Sequence, residues 1–496
     1  MLIRARCLEN SFQAAVRTPP DVLSSIASYF TEKDLFSASQ ICHYWRSVLI
    51  STPFLWTPIN CRSKRRTLTS LARCKHLPIQ LRLGSEFSTV ASEAALLHES
   101  GFSSLVTRIH RSSQVSFLRK LLASSPQSLE KLHICDGPGF EWAEEAPTHR
   151  IWDHLPSVRE LLASCHLIQI GKLNAPNLVH LALERTGHRQ TVTVRAVLDM
   201  LCECPLLETL LLSNSGLPPS DPLGYSSVCL PRLRSIELGE NEVHSGLVTS
   251  LQFSRNIAAG FRTIANKCIY TDDLSALITP IQHILGRIDS RSITLTASPD
   301  HSYPGIFVRF EGPGGSLEIT TMERYSLQPP HVLLALERML SFPIPGIENV
   351  TELHIVGCSF DRSETFHRVN AAMRSIVCTS FLHCDESQVY RLLTRTHDSL
   401  PPFPHLERIM ILGHESKLEH MARRRMKLGV PIKTLVLGRE CRGFWYTPLK
   451  DYTVLRGLVG DLRAGCPTEI LEWGTGNDIL QIWSPTKVPV SPGWKA

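Results

Sequence analysis

Leu207-Glu208-Thr209-Leu210-Leu211-Leu212, followed by Ser213-Asn214-Ser215-Gly216, holds the pattern that organises most of the chain. Apolar residues stand at its first, fourth and sixth places. Alternation over the last three places marks a short half-buried strand, and the Ser, Asn and Gly that follow end it. The pattern recurs at Leu129-Leu132-Ile134, Leu178-Leu181-Leu183, Leu233-Ile236-Leu238, Val350-Leu353-Ile355, Leu406-Ile409-Ile411 and Ile432-Leu435-Leu437, with a weaker copy at Val158-Leu161-Ala163. The starts at 129, 158, 178, 207 and 233 are 29, 20, 29 and 26 residues apart. Those at 350, 406 and 432 are 56 and 26 apart, and 56 is close to two units. Between the strands, residues 115–123, 194–204, 332–340 and 388–396 carry apolar side chains at helical spacing.

A strand plus a return helix at this period is the signature of leucine-rich repeats. One such unit cannot bury its own apolar face, whereas stacked units bury a continuous core. The expectation is therefore an α/β fold, an irregular repeat solenoid over residues 61–480, with a tail at 481–496. Its strands at 132–134, 181–183, 210–212 and 236–238 should neighbour one another in one parallel sheet. The alternate positions, among them His133, His180, Thr209, Ser235, His354, Arg408 and Thr434, should point away from the core. Residues 245–348 are the least repeat-like. There, 293–295, 306–310 and 316–320 read as short strands, with a turn at Gly312-Pro313-Gly314-Gly315 between the last two. Degenerate repeats and an inserted meander both fit this stretch.

Composition sets the class. Of 496 residues, 43% are hydrophobic and 20% charged, the make-up of an ordinary globular chain. A net charge of +6 at this length gives no reason to expect nucleic acid as a general partner. The 15 cysteines are scattered and form no CxxC pair, which fits a reducing compartment and speaks against a zinc site. No run of about 18 apolar residues is present to span a membrane. Residues 1–17 read as a disordered or helical lead-in. Arg4, Arg6 and Arg17 against a lone Glu9 give it a faint presequence character.

The N-terminal region follows other rules. Thr18-Pro19-Pro20-Asp21 opens a helix, with proline in the first turn and Asp21 at the positive end of the dipole. Val22, Leu23, Ile26 and Phe30 recur at helical spacing. Thr31 and Asp34 form a capping box with Asp in the place of Glu. A second helical run carries Leu35, Ala38, Ile41, Cys42, Trp45 and Val48 as one stripe, until Pro53 stops it before Phe54-Leu55-Trp56. About 40 residues are too few for a self-sufficient core, so the module should lean on a neighbour or leave apolar surface for a partner.

The ordered set Pro19-Pro20-Asp21-Val22-Leu23-Ser24-Ser25-Ile26, Asp34-Leu35, Ile41-Cys42-His43-Tyr44-Trp45-Arg46 and Ser51-Thr52-Pro53-Phe54-Leu55-Trp56 resembles an F-box. It is most similar to the F-box of the large mushroom-type fungal family, whose members often carry a divergent leucine-rich domain behind it. One position departs: the family's Leu before the first Pro is Thr18 here. The resemblance covers residues 18–60. It implies a three-helix module that binds the Skp-type adaptor of a cullin–RING ubiquitin ligase through Pro20, Leu23, Ile26, Leu35, Ile41, Cys42 and Trp45. The repeat body would then hold a protein substrate. On this reading the chain is a non-catalytic, cytoplasmic or nuclear subunit with no cofactor and no metal. The rival readings are a protein-interaction scaffold outside any ligase and a hydrolase with dispersed catalytic residues.

Other chemistry finds no motif. Gly312-Pro313-Gly314-Gly315 lacks the Lys-Ser or Lys-Thr of a phosphate loop. Trp473-Gly474-Thr475-Gly476-Asn477 lacks a βαβ setting. Neither HExxH nor GxSxG occurs. Two basic clusters stand out, Arg62-Ser63-Lys64-Arg65-Arg66 and Arg423-Arg424-Arg425-Met426-Lys427. Each reads as solvated charge, a nuclear signal or an anionic contact.

Overall fold

The computed structural model describes residues 18–84, 98, 101–110, 112–124, 127–136, 155–164, 173–184, 193–213, 226–239, 245–253, 256–264, 275–297, 305–322, 343–356, 369, 371–382, 384, 386–396, 401–412, 417–438 and 453–465. The helical stretch expected at 332–340, the glycine-rich segment 473–477 and the lead-in 1–17 lie outside them. The fold is mixed α/β, with helices at the N-terminus and extensive sheet, in two compact units, Met1–Leu233 and Arg234–Ala496.

The first unit begins with α1 (Pro20–Ala27), α2 (Glu32–Ala38) and α3 (His43–Ser51), then a 3-10 turn at Pro53–Trp56. The sheet follows as β1 (Pro58–Asn60), β2 (Ile79–Leu83), β3 (Phe102–Ile109), β4 (Lys131–Asp136), β5 (Glu160–Ser164), β6 (His180–Glu184) and β7 (Thr209–Ser213). Each of these strands pairs in parallel with the next in sequence. Parallel neighbours require crossovers. Here α4 (Lys64–Cys74) links β1 to β2, α5 (Ser112–Ser124) links β3 to β4, and α6 (Val194–Cys202) links β6 to β7. A short β8 (Val228–Leu230) closes the unit. Register places Leu105, Leu132, Leu161, Leu181 and Leu210 in one row, all of them buried. Three of the strands expected to lie together, β4, β6 and β7, are in this sheet, with β5 between β4 and β6. The fourth, at 236–238, belongs to the second unit.

That unit holds β9 (Ser235–Leu238), α7 (Ser245–Ser250), β10 (Leu251–Phe253), β11 (Ile257–Ile264), α8 (Ser275–Ile288), β12 (Ser292–Ala297), β13 (Gly305–Gly312) and β14 (Gly315–Met322). It continues with β15 (Glu352–Val356), β16 (Cys378–Leu382), α9 (Glu386–Thr394), β17 (Arg408–Leu412), α10 (Leu418–Lys427), β18 (Thr434–Gly438), α11 (Thr453–Leu458) and β19 (Asp461–Gly465). From β15 to β19 each strand again pairs in parallel with the next. Within the 245–348 stretch, β12, β13 and β14 form an antiparallel meander. β13 runs antiparallel to both β12 and β14, while β14 lies parallel to β11, and β12 parallel to β15. The turn falls at the expected glycines. Gly315 has φ +124°, and a β-carbon on it would meet Ile257 O at 1.9 Å, so only glycine fits.

One sequence expectation needs correction. The stripe from Leu35 to Val48 predicts one helix, but the structure has α2 and α3 with a break at 39–42. Ser39 Oγ donates back to Phe36 O, and Cys42 turns extended (φ −154°) to cap α3 with its sulfur 3.4 Å from Trp45 N. Local side-chain bonds of this kind compete with helix continuation. The interval of 56 residues hides a strand, β16. Its central inward position is Thr379, buried, with Oγ1 donating to Leu353 O at 2.9 Å.

Candidate functional site

The N-terminal helices have a core of their own. Leu23, Ala27, Leu35, Leu49, Leu55, Trp56 and Ile59 are all buried. Trp56 Nε1 donates to Leu49 O at 2.8 Å, its ring meets Phe36 edge-on at 5.3 Å, and the Arg73 guanidinium from α4 lies 4.2 Å over it. The domain thus leans on α4, as its small size requires. Thr31 and Asp34 form the reciprocal capping box. Ser24 Oγ and Thr52 Oγ1 join α1 to the end of α3 at 3.1 Å, and Arg46 Nε donates to Ser39 O at 2.8 Å. Tyr44 OH donates to Thr18 O at 2.5 Å. The residue leading into α1 is therefore held through the Thr18 carbonyl, a group that any residue at that position supplies.

The seven residues singled out in the sequence divide into three kinds. Leu23 and Leu35 lie in the core. Cys42 and Trp45 are half-buried, with Cys42 spent partly on capping. Pro20, Ile26 and Ile41 are exposed, Ile41 at 63%. Alongside Ile26 stand residues that the sequence reading left out of the site. Val22, Ile26 and Tyr29 are 43%, 46% and 88% exposed, and Phe54 is 51% exposed. Val22 and Ile26 are spaced i, i+4 on one face of α1, and Tyr29 follows in the turn after it. Leu23 and Ala27 form the other, inward face. The signal was present in the sequence: α1 has two apolar stripes, and a single core needs one.

The F-box-like family model matches residues 19–62. The chain carries an F-box-like domain. The exposed stripe of α1 and the α2–α3 turn belong to this domain, and α4 follows directly behind it. No curated protein matches the chain in sequence. Among solved structures, the chain is similar over 90% of its length to 96% of a chain in the crystal structure of the Rad7 and Elc1 complex in yeast, at 11% identity and a TM-score of 0.29. That likeness is too distant to carry an argument.

On the outward side of the sheets, neighbouring strands bond through polar side chains. Lys131 Nζ and His133 Nε2 both lie 2.8 Å from Glu160 Oε1. His180 Nδ1 is 2.6 Å from Thr209 Oγ1, and His354 Nδ1 is 2.7 Å from Ser380 Oγ. Burial and Lys131 hold the His133 ring below its ordinary value, against the pull of Glu160. Burial raises the Glu160 carboxyl, but Lys131 and His133 outweigh it, and the net shift is downward. The second basic cluster splits on α10. Arg423 pairs with Glu419, and Arg424 and Lys427 are exposed. Arg425 is buried and donates to the carbonyls of Leu393, Pro402 and Phe403. Burial pushes it down to about 10. Among the described residues no group of three or more His, Cys, Asp or Glu is placed to hold a metal, every cysteine is a free thiol, and no helix is long and apolar enough to cross a membrane.

Proposed function

We propose that the F-box-like domain docks a Skp-type adaptor of a cullin–RING ubiquitin ligase, and that the rest of the chain holds a protein substrate for that ligase. The observation that carries this is the second apolar stripe, which runs along α1 into the turn after it. The domain fills its core with other residues and still presents Val22, Ile26 and Tyr29 to solvent. Contiguous exposed apolar surface of this kind marks a protein interaction site. The parallel strands and their intervals support reading the body as divergent leucine-rich repeats, of the sort that accompany the mushroom-type fungal F-box. The chain then supplies proximity and no chemistry: it raises the effective concentration of the substrate at the charged enzyme, in the cytoplasm or nucleus.

The test is calorimetric titration of purified Skp-type adaptor into full-length protein. Truncation of Ile26 and Ile41 to Ala is expected to weaken binding about tenfold or more, since each buried apolar side chain at such an interface contributes about 1–3 kcal/mol. Absence of binding by the wild type at micromolar adaptor sinks the reading. A bound complex that ubiquitinates none of its captured proteins would make the chain a scaffold instead.

A further inference from the structure

Charge is spread unevenly along the chain. Residues 35–85 carry eight Lys and Arg and no Asp or Glu, while the whole chain nets +6, so the remainder nets −2. Within this stretch the first basic cluster, Arg62-Ser63-Lys64-Arg65-Arg66, runs into α4. Its last three residues form the first turn, so they are displayed on a helix and not on an extended segment. Thr67, Ser70 and Cys74 bury one side of α4. Arg66 and Arg73 lie over Phe36 and Trp56. The opposite side shows Lys64, Arg65, Leu68 and Ala72, all exposed, with exposed Lys75 as the C-cap. This face is about 16 Å long. Lys64, Arg65 and Lys75 make no ion pair among the described residues.

Two features of α4 work against its own stability. Three cations occupy the turn where the helix dipole is positive, no acid stands there, and Ser63 makes no side-chain cap. Lys75 ends the helix at φ +55°, ψ −122°, a region open to glycine and costly for lysine. An anionic partner relieves the first and gives the second a use. We propose that the exposed face of α4 docks a carboxylate-rich segment of another protein, acidic at both ends and apolar between. Charge complementarity selects the ends, with Lys64 and Arg65 at one and Lys75 at the other. Leu68, 45% exposed, supplies the middle. A nucleic-acid backbone needs an unbroken track of cations, with aromatic platforms for its bases. Here Leu68 and Ala72 interrupt the cations, and α4 carries no aromatic residue. A membrane surface needs a broad apolar face, and two such residues do not make one. The inference uses none of the α1 stripe and stands independently of adaptor docking.

Full-length protein is titrated with a fluorescent peptide of about twelve residues, glutamates at both ends and leucines between, and with the same peptide carrying glutamine at those ends. The glutamate peptide is expected to bind about tenfold more tightly or better, and added salt should weaken it. Lys64→Gln/Arg65→Gln should remove that preference without lowering the urea midpoint, because the helix start sheds unfavourable charge. Lys75→Gly should raise the midpoint and weaken peptide binding together. Circular dichroism confirms that the variants are folded. No glutamate preference in the wild type, or equal preference in the folded double variant, would overturn the proposal. So would a stronger affinity, dependent on Lys64 and Arg65, for single-stranded DNA or for phosphatidylserine vesicles. Lowered midpoints in both variants would make these cations structural and overturn it as well.

Discussion

The parallel sheet of the first unit and helix α1 use the same kind of side chain in opposite ways. Along β4 to β7 the central inward leucines, Leu132, Leu161, Leu181 and Leu210, are at most 1% exposed. Along α1, Leu23 and Ala27 are equally buried, but Val22, Ile26 and, in the turn that follows, Tyr29 stay in solvent. A strand has two faces and commits one of them to the core. A helix has room for a second apolar stripe, and here that stripe stays exposed among the described residues. Apolar content alone therefore does not separate stability from recognition; the count of faces does.

The largest effect that would test this contrast is in the sheet. Leu210→Ala on β7 should destabilise by about 2–5 kcal/mol, read as a lower urea midpoint, because the neighbouring strands hold the cavity open. An effect below about 1 kcal/mol would mean that the row of leucines is not a shared core. The contrast sharpens within α1 itself. Leu23→Ala should cost about 2–4 kcal/mol of stability, and any loss of adaptor binding should follow unfolding. Ile26→Ala, one turn away, should change stability by less than about 0.5 kcal/mol while weakening the adaptor. Equal destabilisation by both would erase the distinction between the two faces.

Much of this was legible in the residues. The six-residue pattern marks β4 to β7, β9, β15, β17 and β18 because apolar residues, mostly leucine and isoleucine, occupy its inward places. It misses β16, where Thr379 sits inward and replaces apolar contact with a hydrogen bond. The F-box-like domain was legible as an ordered set of short matches. Its exposed face was legible only in part, because periodicity reports which residues share a stripe and not which stripe the core takes. Arg425 was hidden for a related reason. Sequence reads a run of arginines as surface, and only the fold shows carbonyls waiting for one of them.

The smallest effect concerns acid, on the outward side of the sheet. Glu160 lies below its ordinary value of 4.5, so its contribution is present above the unfolded carboxylate value and lost as pH falls through the folded one. His133 lies below its ordinary 6.5, so the unfolded ring takes a proton before the folded ring does. Both reduce stability as pH drops from neutral. Glu160→Gln should flatten the slope below about pH 4.5 and, by removing the pull that raises the His133 ring, steepen it between about pH 6.5 and that value, measured as urea midpoints. An unchanged slope would mean that this bonding is decorative.

The meander has a consequence in time. Nearly every other described strand pairs with one that lies a crossover away, and such pairing waits on closing a long loop. β13 and β14 are joined by a turn alone, with Gly312 registered opposite Gly315. A hairpin of this kind can form in about 1–10 μs, ahead of any crossover. On this expectation, β11 and β12 would then find a ready edge on each side, so the second unit would assemble outward from its least repetitive part. Pulse-labelled hydrogen exchange reads that order directly: protection at Val308 and Ile319 should precede protection at Leu353 and Leu435.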